Sequence, residues 1–275
     1  MATGYAEVDN GLLYYETMGK GPALVLIHAG FLDSRMWDDQ FELFSKTHKV
    51  IRYDVRGFGK SDKATSQFSN YSDLHTLLEY LRVESASLLG CSMGGGIALD
   101  FAVEHPNEVQ SLILVSPAVS GYKPSDPEEE RLWKEFGDRM KPQEEAIREG
   151  RAEDAVRMDL EAWAPLQNHT SHQRLREIAL DNFHTQQEMP WKLQIDPDPP
   201  AYDRLSNIHV PTLFILGDRE VPAQTLLVNR IHSRMPGSQR VVISRADHIA
   251  NVSRPEEFNR IVLEFLGRHT LEIRA

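Results

Sequence analysis

Gly90-Cys91-Ser92-Met93-Gly94-Gly95-Gly96 decides how the chain folds, because an apolar run ends just before it at Leu89 and a helical pattern opens within it at Gly95. A serine between glycines at a strand-to-helix turn is pushed out of the sheet edge. The sharp turn forces it into an unfavourable backbone conformation, and a side chain at Gly90 or Gly94 would strike the neighbouring strand and helix. The same rhythm extends outward in both directions. Residues 23–28, 49–53, 87–89, 111–115, 212–216 and 240–243 are short apolar runs of the kind buried on both faces of a parallel sheet. Between most of them, residues 34–45, 71–81, 95–104, 223–235 and 255–266 carry apolar side chains three and four apart, which predicts helices. Strand-helix alternation of this kind predicts an α/β class with a mostly parallel central sheet and helices on both faces. Residues 3–17 alternate around Asp9-Asn10-Gly11, a tight-turn signal, and read as an N-terminal hairpin.

One interval breaks the alternation. Residues 118–206 carry no strand signal and read as several helices interrupted by Pro142, Pro165, Pro190, Pro197, Pro199 and Pro200. The expected organisation is therefore a core of 1–117 and 207–275 with a helical lid inserted at 118–206. This segment has 19 acids against 12 bases, so it carries −7 of the chain's net −11. It also holds three of the four tryptophans, Trp133, Trp163 and Trp191, which are expected to cement its helices to one another.

At 275 residues the chain is long for one domain but within reach of a single α/β core with an insertion. The acidic balance argues against a nucleic-acid partner, whose binding surfaces are normally basic. No apolar run approaches the roughly 18 residues of a membrane-spanning helix. The N-terminus has neither a basic nor an apolar leader region, so the expected location is the cytoplasm. A single cysteine, Cys91, excludes an intrachain disulfide and a paired-cysteine zinc site.

A serine hydroxyl is a poor nucleophile at neutral pH and needs a histidine base. Of eleven histidines, His248 is the candidate, because Asp247-His248-Ile249 follows the last expected strand at the sheet edge where Ser92 emerges. His28 ends a strand at the same edge but lies in a Gly-adjacent turn and is assigned to supporting that loop. His169, His172 and His184 fall in the insertion and read as solvated or packed. A third group must orient the imidazole, and Gly217-Asp218-Arg219-Glu220-Val221-Pro222 supplies two acids in the right chain order. Chemistry alone leaves Glu220 and Asp218 both open. Oxyanion donors are backbone amides: Met93, after the nucleophile, and Gly30 or Phe31 in the loop after the first apolar run. No ligand spacing indicates a metal, and no cofactor is implied. Gly59-Lys60-Ser61 imitates the end of a phosphate-binding loop, but Asp54 stands where its first glycine is required.

His28-Ala29-Gly30 with Ser34 and Trp37, the block Arg52 to Asp62, the Ser92 turn, Gly217 to Pro222, and Asp247-His248 leading into Pro255 together resemble the α/β-hydrolase superfamily across nearly the whole chain except the insertion. The pattern is most similar to small esterases and lactonases related to 3-oxoadipate enol-lactonases, and to carbon–carbon bond hydrolases with helical lids. The resemblance implies the α/β-hydrolase fold and a Ser92-Glu220-His248 triad, since it places the acid three residues past Gly217. Two departures stand out: Ala29 replaces the usual oxyanion-loop glycine, and Glu220 replaces the usual aspartate. The expected function is a serine hydrolase cleaving a carboxylic ester or lactone through an acyl-enzyme. The same residues would also serve carbon–carbon bond cleavage, or a hydrolase-like ligand receptor with little turnover. The expected partner is a neutral, partly apolar small molecule.

Overall fold

The structure, a computed structural model, describes residues 1–272. Strands β1 (Ala2–Val8) and β2 (Gly11–Met18) form the expected hairpin. Its two-residue turn holds Asn10 at φ 60°, in the left-handed region that asparagine tolerates. The remaining strands are β3 (Ala23–Ile27), β4 (Lys49–Tyr53), β5 (Ala86–Cys91), β6 (Val109–Val115), β7 (Thr212–Gly217) and β8 (Gln239–Ile243). They complete one eight-stranded sheet in the order β1-β2-β4-β3-β5-β6-β7-β8. β2 pairs antiparallel with both β1 and β4; along the rest of the sheet, from β4 to β8, every pairing is parallel.

Side chains of successive residues leave a strand on opposite faces, so continuous apolar runs build two cores. Val25, Leu88, Leu112 and Phe214 enter one core, and their neighbours Leu24, Leu89, Ile113 and Ile215 enter the other. The second face is covered by α1 (Asp38–Phe44) and α10 (Pro255–Glu272), through Phe41, Phe44, Phe258, Val262 and Phe265. The first is covered by α2 (Asn70–Tyr80), α3 (Met93–Glu104) and α9 (Pro222–Ser233), through Leu74, Ile97, Phe101 and Val228. Each such side chain contributes about 1.5–3 kcal/mol by leaving water. The expected helix at 34–45 is a 3-10 turn, Ser34–Trp37, running into α1.

Between β6 and β7 lie α4 (Pro127–Arg148), α5 (Ala152–Trp163), α6 (His169–Asp181), α7 (Phe183–Glu188) and α8 (Ala201–Arg204). Asp126 caps α4 by accepting from the Glu128 and Glu129 amides, with Pro127 in the first helical position. Five of the six expected breakers fall between helices, but Pro142 lies inside α4, which continues through it. A proline there removes one helical N–H. The buried face of Met140, Gln143 and Ala146, docked against α5 and α7, keeps the helix running. Val156, Leu160, Leu175 and Ile178 join the second core, so α5 and α6 pack as part of the main body. Among the described residues no helix is long and apolar enough to cross a membrane.

Candidate active site

The turn from β5 to α3 holds Ser92 at φ 52°, ψ −112°, a conformation that costs about 1–3 kcal/mol and that the surroundings must enforce. They do so through the backbone. The Ser92 amide donates to Val115 O at 2.9 Å, and its carbonyl accepts from the Gly96 and Ala118 amides. A Cβ at Gly90 would lie 2.2 Å from Gly94 O, and one at Gly94 would lie 2.3 Å from Ile27 O, so the turn is compatible only with glycine at both positions. Ser92 opens on a cavity of about 390 Å³ whose lining includes Met93, Gly30, Phe31, Phe58, Trp163 and His248.

His248 follows β8 and is buried, with its ring 4.6 Å from that of Trp163 at 46°. Its Nδ1 lies 2.8 Å from Glu220 Oε2. Glu220 sits in the loop that leaves β7 at Gly217, and its Oε1 accepts from the Val221 amide at 2.8 Å. Burial alone would raise the Glu220 pKa, but the facing imidazole and the Val221 amide outweigh it and hold the carboxyl below its usual value. With Glu220 ionised, the shared hydrogen bond places the imidazole proton on Nδ1 and leaves Nε2 as the basic nitrogen, on the cavity that Ser92 shares. Asp218, two residues nearer β7 in the chain, is not brought to His248. It is exposed, and its carboxylate accepts from the Ser244 hydroxyl at 3.2 Å.

Gly30, Phe31 and Met93 line the same cavity, and a Cβ at Gly30 would stand 3.8 Å from the Met93 Cβ, so the two loops face each other. Among the described residues none of these three amides donates to a protein acceptor. His28 braces the first loop: Nε2 accepts from the Val55 amide at 2.9 Å and Nδ1 lies 2.8 Å from Ala29 O. Burial lowers its pKa, in keeping with a neutral ring that needs one donor and one acceptor nitrogen. His169 and His172 are exposed, and His184 turns back to Asp181 O; none of the three lines the cavity.

Three polar residues beside the site carry no sequence signal. Asp247, fully buried, accepts from the Leu166 amide and from Gln167 Nε2, tying the His248 loop to the α5–α6 connection. Asn182, also fully buried, donates to Asp33 and accepts from the Gly59 amide, joining the end of α6 to two core loops. Asp159 of α5 lines the cavity itself, and among the described residues its partners are the side-chain amides of Gln143 and Gln186. Burial is the largest influence on it and pushes its pKa up to about 6. Trp163 and Trp191 line the cavity; Trp163 also packs edge-on against Phe136 of α4 and so joins α5 to α4 as expected, whereas Trp133 meets Phe136 within α4 itself and packs against the first core.

A group of donors with metal-ligand chemistry lies elsewhere. His75, His105 and Glu108 bring their ligand atoms within 4.8 Å of one another, a juxtaposition hidden by their separation along the chain. The two rings stack at 4.1 Å with Glu108 bridging both Nδ1 atoms, and none of the three lines the Ser92 cavity.

The fold is shared with known proteins. Residues 22–255 match the family model for the alpha/beta hydrolase fold. A 2-hydroxy-6-oxononadienedioate/2-hydroxy-6-oxononatrienedioate hydrolase of Burkholderia vietnamiensis is 31% identical over 93% of this chain and 91% of its own length. Among solved structures, an esterase from Exiguobacterium antarcticum superposes with a TM-score of 0.80 at 23% identity, covering 97% of this chain and all of that one. The enol-lactonase from Burkholderia xenovorans LB400 gives 0.72 at 22% identity, covering 96% of this chain and all of that one. A family match that runs from β3 to β8 and takes in the Ser92 turn and the His248 loop makes this chain a member of the α/β-hydrolase family.

Proposed function

We propose that the protein is a serine hydrolase that cleaves a carboxylic ester or lactone, with residues 118–206 as a lid over the site. The observation that carries this reading is a strained serine opening on the cavity that His248 lines, with Glu220 2.8 Å behind the imidazole. Ser92 Oγ attacks the carbonyl carbon while His248 Nε2 takes the hydroxyl proton. The Met93 amide, with that of Gly30 or Phe31, receives the oxyanion, and Glu220 stabilises the imidazolium. Collapse breaks the bond to the alcohol oxygen, which leaves with the proton from His248. Water then attacks the acyl-enzyme, giving its proton to His248, and the acid departs as Ser92 regains its proton.

Carbon–carbon bond cleavage is the second reading, favoured by the dienedioate hydrolase among the relatives. A dienedioate is a dicarboxylate, and the cavity lining contains no lysine or arginine but does contain Asp159. That charge balance favours an ester or lactone with an apolar part over an anion. The test is a panel of p-nitrophenyl esters of rising acyl length beside lactones and vinylogous diketones, each with Ser92→Ala as control. Many turnovers on esters or lactones, lost in the variant, support the proposal. Cleavage of diketones alone supports the second reading, and a single slow acylation per molecule would indicate a ligand receptor. At low salt, a dicarboxylate monoester is expected to be hydrolysed more slowly than its neutral methyl diester.

A further inference from the structure

The cavity holds one acid that the ester-cleaving steps do not use. Asp159 enters from α5 and is 4% exposed, yet it contributes to the wall shared with Ser92 and His248. Gln143 Nε2 donates to its Oδ1 at 3.0 Å and Gln186 Nε2 to its Oδ2 at 3.2 Å. Gln143 Nε2 also lies 3.3 Å from Gln186 Oε1, so the two amides are linked and hold the carboxyl in a fixed orientation. Among the described residues no lysine, arginine or histidine forms an ion pair with Asp159, in contrast to Glu220. A carboxyl removed from water with no cation beside it is normally avoided, since amide donors satisfy its oxygens but do not balance its charge. Around it the walls are aromatic: Trp163, Trp191, Phe58 and Phe31. One unbalanced carboxylate with indole and phenyl faces is the chemistry that holds an ammonium group, by a charge-assisted hydrogen bond and by attraction to the ring quadrupoles.

We propose that Asp159, oriented by Gln143 and Gln186, binds a cationic amine on the substrate, so that the preferred substrate is an aminoalkyl or amino-acyl ester rather than a plain alkyl one. This rests on the reading of the cavity as the substrate site. It extends that reading from exclusion of anions to selection of cations. The amine fills the place of the missing counter-charge, and the linked glutamine amides hold Asp159 in its orientation.

Binding without bond cleavage separates this proposal from the serine chemistry. The quenching of Trp163 and Trp191 fluorescence is titrated with 2-phenylethylammonium, 2-phenylethanol and 3-phenylpropanoate, near-isosteres that differ in charge, at pH 7.5. The wild-type protein is expected to bind the ammonium compound about tenfold more tightly than the alcohol and the carboxylate most weakly. Asp159→Asn should bring the ammonium-to-alcohol ratio close to one, and Asp159→Glu, which keeps the charge, should restore most of it. A wild-type protein that binds the alcohol as tightly as the ammonium compound overturns the proposal without any variant being needed. So does an unchanged ratio in Asp159→Asn. Loss of all ester turnover in every assay, with the ratio intact, would instead count against the acyl-enzyme mechanism alone.

Discussion

The parallel core and the helical insertion each set one buried acid beside the same cavity, and they treat it in opposite ways. Glu220, at the end of β7, faces His248 and is held below its ordinary pKa, so it stays ionised. Asp159, on α5, faces only amide groups and is pushed up to about 6. Burial acts on both in the same direction, so it is the partner that decides. A carboxylate paired with an imidazole serves to orient and charge-balance a base, whereas one paired with amides keeps its charge available to whatever enters the cavity.

The strongest way to break this comparison is to remove the groups on the core side. Ser92→Ala and His248→Ala should each lower ester turnover by about 10⁴ to 10⁶ with the thermal transition near that of the wild type. Residual activity above about a tenth, in a folded variant, contradicts the assignment. Next in size is the acid. Glu220→Gln should cost several hundred-fold or more in kcat/KM, because the charge that stabilises the imidazolium is lost while the shape is kept. Asp218→Asn should stay within about twofold of wild type, since its carboxylate meets only Ser244 in solvent. The reverse ordering would move the triad acid to Asp218.

The insertion side sharpens the comparison through stability. Because the Asp159 carboxyl has its pKa raised on folding, the folded state holds a proton that the unfolded chain has released between about pH 4 and pH 6. The wild-type protein therefore loses stability as pH rises through that window, and the loss is complete above it. Asp159→Asn removes this term, so the variant minus wild-type difference in melting temperature should rise from pH 4 to pH 7, by the equivalent of about 1–3 kcal/mol. A difference that is flat with pH shows that the folded carboxyl titrates normally. A modest loss is expected at the link between the two regions. Gln167→Ala removes one donor to Asp247 and should lower kcat/KM by about two- to fivefold with little change in melting temperature, because Leu166 and Ile249 still donate to that carboxylate.

The difference in legibility follows the same division. In the core, the strands are built on short apolar runs such as 24–27, 112–115 and 213–216, and Ser92, Glu220 and His248 each sit in the loop after a strand, β5, β7 and β8 in turn. Sequence order alone therefore carries them to one sheet edge. In the insertion, Asp159 occupies an amphipathic helix that also carries solvent-facing Asp154, and nothing in their spacing says which one turns inward. Asn182 and Asp247 act through partners distant along the chain, Asp33 and Gln167, that only packing reveals. Pro142 misleads for a related reason: a local breaking signal is overridden by the docked face of α4.

The central claim is covalent chemistry at Ser92, and it is tested most directly by trapping the acyl group. The protein is mixed with a slowly deacylating p-nitrophenyl ester such as the pivalate, quenched in acid during the burst, digested and sequenced by tandem mass spectrometry. The account predicts a stoichiometric pivaloyl group on Ser92, absent when the reaction is run with His248→Ala. Steady ester turnover with no acyl group on Ser92, or with the group on another residue, would contradict it.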